Sequence, residues 1–340
     1  MTATDLTLRE SAARPAGRRA GRATWLTVPV ILGLIVVAGW VMIALTITLW
    51  SPYDPLATTG FPLLPPSAQH LLGTDALGRD VLARTLYGAR ASLPLAFAVI
   101  AGGVTIGCVL GGLAGFFGGW ADGVLMRLTD VTLAFPAILL AMVMTAALGP
   151  GLFHAGIAMV IVWWPIYARL LRAQILSVKE QAHVEAAVAA GVGRSRLLRV
   201  HILPLAITPI LVNATMDLGQ VVLLAAGLSF IGLGANPPTP EWGLMINDGT
   251  IHFYQWWVAL GPGLAILSLV LAFNFVGDGV RDLLDVRTPG RSPWPRPGRP
   301  AWPPAPVRRC SRSGTWPSTS GRRRSRCPPC AGWISLCGRA

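Results

Sequence analysis

Apolar residues fall into six long runs that are separated by more polar stretches. The runs cover roughly residues 25–49, 93–118, 130–148, 154–176, 205–232 and 256–278. The hydrocarbon core of a bilayer is ~30 Å thick, so about 20 apolar residues in a helix cross it. The pattern therefore predicts an all-α, polytopic membrane protein with six transmembrane helices. The third run contains Pro136 and is the marginal one. Arg127 and Asp130, three residues apart near its start, are expected to form an ion pair.

Composition supports this class, because 53% of the 340 residues are hydrophobic and only 13% are charged. The net charge of +13 does not indicate a nucleic-acid-binding protein. Eleven arginines lie in residues 291–340, which hold no Asp, Glu or Lys. The segment 289–340 is rich in Pro, Arg and Ser without a period, and we expect it to be disordered. Cys327 and Cys330 form one CxxC pair there, but no second pair completes a zinc site, so no metal site is predicted.

Basic residues near the ends of the runs predict the orientation of the chain. The segment 169–201 holds six Arg or Lys against two Glu, whereas 51–91 holds three Arg against three Asp. Cytoplasmic loops carry the excess of Arg and Lys. We therefore expect residues 1–24 to form a cytoplasmic tail and 25–288 to form a transmembrane domain with both ends cytoplasmic. Loops 51–91 and 233–255 are then extracytoplasmic.

A polar, Gly-broken segment at residues 177–204 separates the fourth and fifth runs, on the cytoplasmic side in this orientation. Ser177 is suited to cap a helix over 178–190, and Gly191 is suited to end it. A second short helix is expected at 195–202, and its polar side carries Arg196, Arg199 and His201. Pro204 then marks the entry into the next span. This helix–turn–helix on the membrane surface is either a docking site for a soluble protein or an amphipathic link between two spans.

Three elements of this segment resemble the EAA loop of ABC-importer permeases. They are Glu185-Ala186-Ala187, Gly191 six residues after the Glu, and Leu203-Pro204. Further stretches resemble the dipeptide/oligopeptide/nickel permeases, of the second-subunit type: Leu72-Gly73-Thr74-Asp75, Gly78-Arg79-Asp80, the run 228–234, and Trp242-Gly243. The resemblance covers roughly residues 25–288.

The resemblance implies a type I importer permease fold and a transport subunit of the bacterial cytoplasmic membrane that is not itself an enzyme. The partners it implies are a second homologous permease subunit, two ABC ATPase subunits, an extracytoplasmic solute-binding protein and membrane lipid, with no nucleic acid. ATP and Mg are used by the ATPase subunits, and no cofactor is expected on this chain, which has no G-x-x-x-x-G-K-[ST] loop. The expected coupling residues are Glu185, Ala186, Ala187, Gly191, Arg196, Arg199, Leu203 and Pro204.

Within this class, di- and oligopeptides are the favoured solutes. Nickel or another small solute is an alternative, and a non-transporting membrane scaffold with a docking loop is another. The segment 289–340 fits no part of the resemblance. Back-translated and read from the third base of each codon, it permits stretches similar to the first strands of an ABC ATPase. We therefore interpret it as the frameshifted remnant of a fused ATPase, with an unrelated disordered tail as the alternative.

Polar and small residues inside the runs mark two further features. Asn213, Asp217 and Gln220 share one face of the fifth run, because positions i, i+4 and i+7 coincide on a helix. Polar residues are costly in a bilayer, so this stripe lines a solute path, forms interhelical hydrogen bonds or lies near the cytoplasmic interface. Gly103, Gly107, Gly111 and Gly115 give the second run a smooth face for helix packing, within this chain or against a partner subunit.

Overall fold

The computed structural model describes residues 28–284, and the structural account is confined to them. The predicted tails at 1–24 and 289–340 lie outside the described residues. The described chain is helical, which confirms the all-α prediction, and residues 28–284 hold no β-strand beyond one isolated bridge between Thr74 and Asp80.

The elements follow in chain order. The helices are α1 (Val28–Trp50), α2 (Val81–Phe117), α3 (Gly119–Leu133), α4 (Ala137–Leu148), α5 (Leu152–Lys179), α6 (Ala182–Ala189), α7 (Arg194–Arg196), α8 (Leu203–Ala206), α9 (Thr208–Phe230), α10 (Trp242–Ile251) and α11 (Trp257–Leu284). A π-helical stretch, Leu197–Ile202, joins α7 to α8.

Five helices of the described range, α1, α2, α5, α9 and α11, are long and apolar enough to cross a bilayer. Helices α3 and α4 meet the same criterion only as a pair, and they are bent by 91° at the break between them. The marginal third run expected at 130–148 is thus divided between the end of α3 and α4, and counting the bent pair as one span gives six candidate spans in the described range. Pro136 precedes α4. Proline has no N–H and restricts the residue before it, which favours a break in the helix at this point.

Helices α2 and α5 lie against each other in the same direction, with the glycine face of α2 at their contact. A Cβ added to Gly107 would lie 2.6 Å from the Trp164 carbonyl oxygen, and one on Gly111 would lie 2.2 Å from that of Ala168. Gly103 and Gly115 face the neighbouring turns of α5 in the same order. The glycines thus let two backbones of this chain meet where any side chain would hold them apart.

Helix α11 packs antiparallel to both α1 and α9. Gly279 of α11 contacts Val30 near the start of α1, and Gly277 contacts Met216 near the start of α9. The start of α1, the end of α2, residues 180–207 and the end of α11 therefore share one side of the bundle, which we call the connector side. Residues 51–80, 149–151 and 231–256 lie on the other side, the loop side.

A buried network of charged residues organises the loop side. Arg79 Nε donates to Asp75 Oδ2 at 2.7 Å, and Arg84 Nε lies 3.5 Å from the same oxygen. Asp80 caps α2 by accepting from the Ala83 N–H at 2.7 Å, and it pairs with His70 Nδ1 at 2.9 Å. The segment before α2 is thus a fixed part of the fold.

Candidate functional site

The candidate site is the connector, which we define as residues 182–206, from α6 to α8. It follows directly on α5, whose last residue is Lys179. Lys179 Nζ donates to the carbonyl oxygens of Gly115 and Phe116, both at 2.8 Å. These carbonyls belong to the last turn of α2, where a cation satisfies otherwise unpaired acceptors. The connector therefore begins from a point at which two long helices are held together.

Helix α6 ends in a Gly-terminated turn. The Gly191 N–H donates to the Val188 carbonyl at 3.0 Å, and the Val192 N–H donates to the Ala187 carbonyl at 3.1 Å. This pair of bonds is the Schellman arrangement, which requires a left-handed residue at the glycine position. Gly191 has φ +78°, a conformation that glycine adopts without steric cost. The sequence prediction that Gly191 ends a helix is confirmed by this geometry.

The start of the connector differs from the prediction. Ser177 does not cap a helix over 178–190, because α5 runs on to Lys179 and a break separates it from α6. Val178 of α5 is buried in the core and Lys179 is bonded to α2, so packing extends the span past the predicted cap. The helix N-terminus lies instead at Gln181, without a side-chain capping bond.

The second half of the connector also differs in detail. The helix expected at 195–202 begins as α7 but widens into the π-helical stretch, in which the Leu203 N–H bonds to the Leu198 carbonyl five residues earlier. Pro204 has no N–H, and its ring crowds the carbonyl four residues before it, so the preceding turn opens. Pro204 is the second residue of α8 and does not start the next span, which begins at Thr208.

Burial divides the connector into an anchored side and an outward side. Val184, Leu197, Ile202 and Ala206 are buried in the core of the bundle. The outward side includes exposed Glu185, Ala186, Gly191, Arg196, Arg199 and Pro204, while Ala187 and Leu203 are partly buried. Most of the predicted coupling residues are thus accessible, on a segment that is packed against the spans.

Two exposed apolar side chains and a groove complete this surface. Val188 and Val200 are 56% and 57% exposed. A groove of about 510 Å³ runs between the connector and the end of α2, lined by Phe116, Phe117, Lys179, Val188, Val192, Arg194 and Leu197. A mixed apolar and basic surface of this kind is typical of protein contacts.

Ion pairs tie α3 to α5 next to the connector. Arg172 forms a bidentate ion pair with Asp122, in which Arg172 Nη2 lies 2.7 Å from Asp122 Oδ2. Asp130 pairs with Arg169 of α5, so the predicted pair between Arg127 and Asp130 is wrong. The 91° bend places α3 beside α5. The Asp130 carboxylate therefore pairs with Arg169 of the neighbouring helix, and not with Arg127 three residues away on its own helix.

The polar stripe of α9 is not a single hydrogen-bonded set. Asp217 Oδ2 accepts from the Tyr167 hydroxyl of α5 at 2.7 Å. Asn213 Nδ2 donates to the Pro209 carbonyl within its own helix, and Gln220 is exposed. Asn213 also lines an open groove of about 850 Å³ between α9 and the end of α11. One member of the stripe therefore joins two helices, one lines the groove, and one is exposed.

The loop-side network contains residues that the sequence analysis did not single out. Arg84 and Glu241 are each 1% exposed. Glu241 accepts from the Leu244 N–H at 3.0 Å and caps α10, and burial raises the pKa of its carboxyl group. Trp242, fully buried, donates from Nε1 to the Thr85 carbonyl at 2.8 Å. Glu is not among the usual N-cap residues, so local sequence carried no signal for the cap at Glu241.

Together these features define a class: a helical membrane protein whose spans carry a short, firmly seated surface segment with an outward polar face. The family described as "Binding-protein-dependent transport system inner membrane component" matches residues 103–289. The dipeptide transport system permease protein of Alkalihalophilus pseudofirmus is 43% identical over 258 residues, which are 75% of this chain and 84% of that protein.

Two further known proteins are also similar to this chain. The nickel transport system permease protein of Escherichia coli is 43% identical over 259 residues, 75% of this chain and 92% of that protein. One chain in a solved structure of the MetNI methionine ABC transporter, in inward-facing conformations, has a similar fold. The similarity covers 59% of this chain and 96% of that chain, with a TM-score of 0.51 and 22% sequence identity. The chain belongs to the binding-protein-dependent transport system inner membrane component family, and the resemblance inferred from its motifs is confirmed.

Proposed function

We propose that this chain is the permease subunit of an ATP-binding-cassette importer that carries di- or oligopeptides across the bacterial cytoplasmic membrane. Separate ATPase subunits dock on the connector, a related permease subunit completes the path, and an extracytoplasmic binding protein delivers the solute on the loop side. The single observation that carries the proposal is the connector itself. It presents Glu185 and Ala186 outward while Val184 and Leu197 seat it in the core.

Charge supports a cytoplasmic position for the connector side. The connector and the adjoining end of α5 carry Lys179, Arg194, Arg196 and Arg199, and Arg281 lies at the same end of the bundle. On the loop side, Arg79 and Arg84 are buried with Asp75 and leave little net charge. Because positive charge is retained on the cytoplasmic side of membranes, we orient residues 28 and 284 toward the cytoplasm.

Coupling follows from the way the connector is anchored. Force applied to α6 reaches α2 and α5 at once, because Lys179 joins their ends and the glycine face lets their backbones touch. Nucleotide can change the conformation of the spans only if the ATPase subunits bind the connector differently in two states. ATP and Mg are used by those subunits, and this chain contributes the docking surface.

Similar proteins support the choice of solute. Relatives at 43–45% identity include dipeptide and D,D-dipeptide transport permeases. Peptides are therefore the substrates that we propose first. Nickel is the competing solute, because the nickel permease of Escherichia coli is equally similar.

Charge reversal in the connector tests the proposal. We expect Glu185→Lys to abolish peptide uptake and the stimulation of ATPase activity by the loaded binding protein, because a new cation replaces the carboxylate at the docking surface. The assay is uptake and ATP hydrolysis by the complete transporter in proteoliposomes. Membrane insertion is measured in parallel by quantifying the chain in the bilayer fraction.

Glu180→Lys is the matched control, since Glu180 is also exposed and lies just before the connector. This variant should retain most of the uptake. Normal coupled transport by Glu185→Lys would contradict the docking assignment. Failure of the wild-type chain to co-purify with any ATPase subunit would favour the membrane-scaffold alternative.

A further inference from the structure

A carboxylate lies in the middle of a span without a cationic partner. Asp217 is the tenth residue of α9, so it is about 14 Å from one end of that helix and about 20 Å from the other at 1.5 Å per residue. The ion pairs within residues 28–284 join other residues, and no Arg, Lys or His side chain lies within 4.0 Å of its oxygens. An ionisable side chain at this depth is costly unless it serves a function.

Two aromatic side chains of α5 border this carboxylate. The Tyr167 hydroxyl donates to Asp217 Oδ2 at 2.7 Å. Trp163, one turn earlier on α5, is 7% exposed and lies beside the same carboxyl group. Both aromatic neighbours are neutral, so the carboxylate finds no cationic partner on α5.

Asp217 is only partly buried by the helices around it. Asn213 on the same stripe is also partly buried, and Gln220 is exposed. Lipid tails do not tolerate a row of polar side chains. This face therefore meets a partner subunit or a water-filled path.

The chemistry of the site selects an organic cation over a metal ion. It offers one carboxylate and one phenol hydroxyl. A divalent transition metal needs several nitrogen, sulfur or oxygen ligands. A primary ammonium group, in contrast, is bound by a single carboxylate through charge-assisted hydrogen bonds.

We propose that Asp217, with Tyr167 and Trp163, forms a transient binding site for the α-ammonium group of a peptide as it crosses the membrane. This inference rests on the proposed function. It assigns the stripe on α9 a substrate class, since peptides with a free amino terminus carry this group and nickel does not. Tyr167 acts as a positioning residue that orients the carboxylate.

Three substitutions separate a cation site from a structural hydrogen bond. Asp217→Asn removes the charge but keeps an oxygen that accepts from Tyr167. Asp217→Glu keeps the charge, and Tyr167→Phe removes only the hydrogen bond. If the carboxylate binds the ammonium group, Asp217→Asn lowers uptake of labelled dialanine by roughly tenfold or more, because an unpaired cation is left in a poorly solvated site. Asp217→Glu retains most of the uptake, and Tyr167→Phe lowers it by less than Asp217→Asn, because it loses the positioning hydrogen bond but keeps the charge.

The measurement uses the complete transporter in proteoliposomes, with Asp130→Asn as the control because it removes a carboxylate from an exposed surface pair. The inference is overturned if Asp217→Asn transports like the wild type, or if Tyr167→Phe is the more impaired variant. It is also overturned if Asp217→Asn no longer co-purifies with the partner permease, since the carboxylate then pairs with a partner's cation. Absence of dialanine uptake by the wild type would overturn the proposed function, and the inference with it.

Discussion

The contact between α2 and α5 predicts opposite effects for one substitution at two adjacent glycines. A Cβ on Gly111 would lie 2.2 Å from the Ala168 carbonyl oxygen and 2.7 Å from its Cα, whereas a Cβ on Gly112 would meet only Leu171 Cδ2 at 3.7 Å. The first contact is with backbone that cannot rotate away. Gly111→Ala should therefore push the helices apart, and Gly112→Ala should fit without displacement.

The magnitude follows from the two distances. To restore an ordinary contact, the helices must separate by about 1 Å at Gly111, which costs about 1–3 kcal/mol as overpacking. Gly112→Ala gains about 0.5–1 kcal/mol, because alanine loses less backbone entropy in a helix. The two variants should thus differ by about 3 kcal/mol, or roughly 10 °C in melting temperature for a domain of this size.

The assay is the apparent melting temperature of each purified variant in the same detergent, measured as loss of the monodisperse species on heating. Gly111→Ala should lie below the wild type and Gly112→Ala at or above it. Equal melting temperatures for the two variants would refute the close backbone contact. A Gly111→Ala variant more stable than the wild type would refute it as well.

Two further predictions concern the ends of the bundle. Lys179→Met should lower the free energy of unfolding by about 2 kcal/mol, because two charge-assisted hydrogen bonds to the end of α2 are lost. The measurement is the melting temperature of this variant compared with that of Lys179→Arg. A Lys179→Met variant as stable as the wild type would contradict the prediction. Burial raises the pKa of the Glu241 carboxyl group, so the folded state binds the proton more tightly and stability falls as pH rises through the shifted pKa. Glu241→Gln keeps the capping acceptor and should be more stable than the wild type near about pH 8, with the difference shrinking toward about pH 5; a constant difference would show that this carboxyl group does not titrate with unfolding.

The spans were predictable because the length of an apolar run along the sequence is enough to identify a membrane helix. A run of about 20 apolar residues has few alternatives to a membrane helix, and α1, α9 and α11 fall where the runs predict them. Pro136 marked the weak point of the third run, but a single proline does not specify a 91° bend. That angle depends on the packing of α3 and α4 against α5, which no local pattern encodes.

The connector shows which site features the sequence carries. Gly191 was predictable as a helix end, since glycine alone adopts its left-handed conformation without strain. The boundary at residues 177–181 was missed because Val178 is buried by tertiary contacts, which override the local capping signal at Ser177. The pairing of Asp130 with Arg169 and of His70 with Asp80 likewise joins distant or folded-back residues, beyond the reach of spacing rules.

The most direct test of the account is photo-crosslinking from both sides of the bundle in the assembled transporter. A photoreactive residue at Ala186 samples the outward face of the connector, and one at Phe61, which is 80% exposed, samples the loop side. We predict an adduct with an ATPase subunit from Ala186 and an adduct with the solute-binding protein from Phe61. An ATPase adduct from Phe61, or none from Ala186, would contradict the assignment of the connector as the docking site for the ATPase.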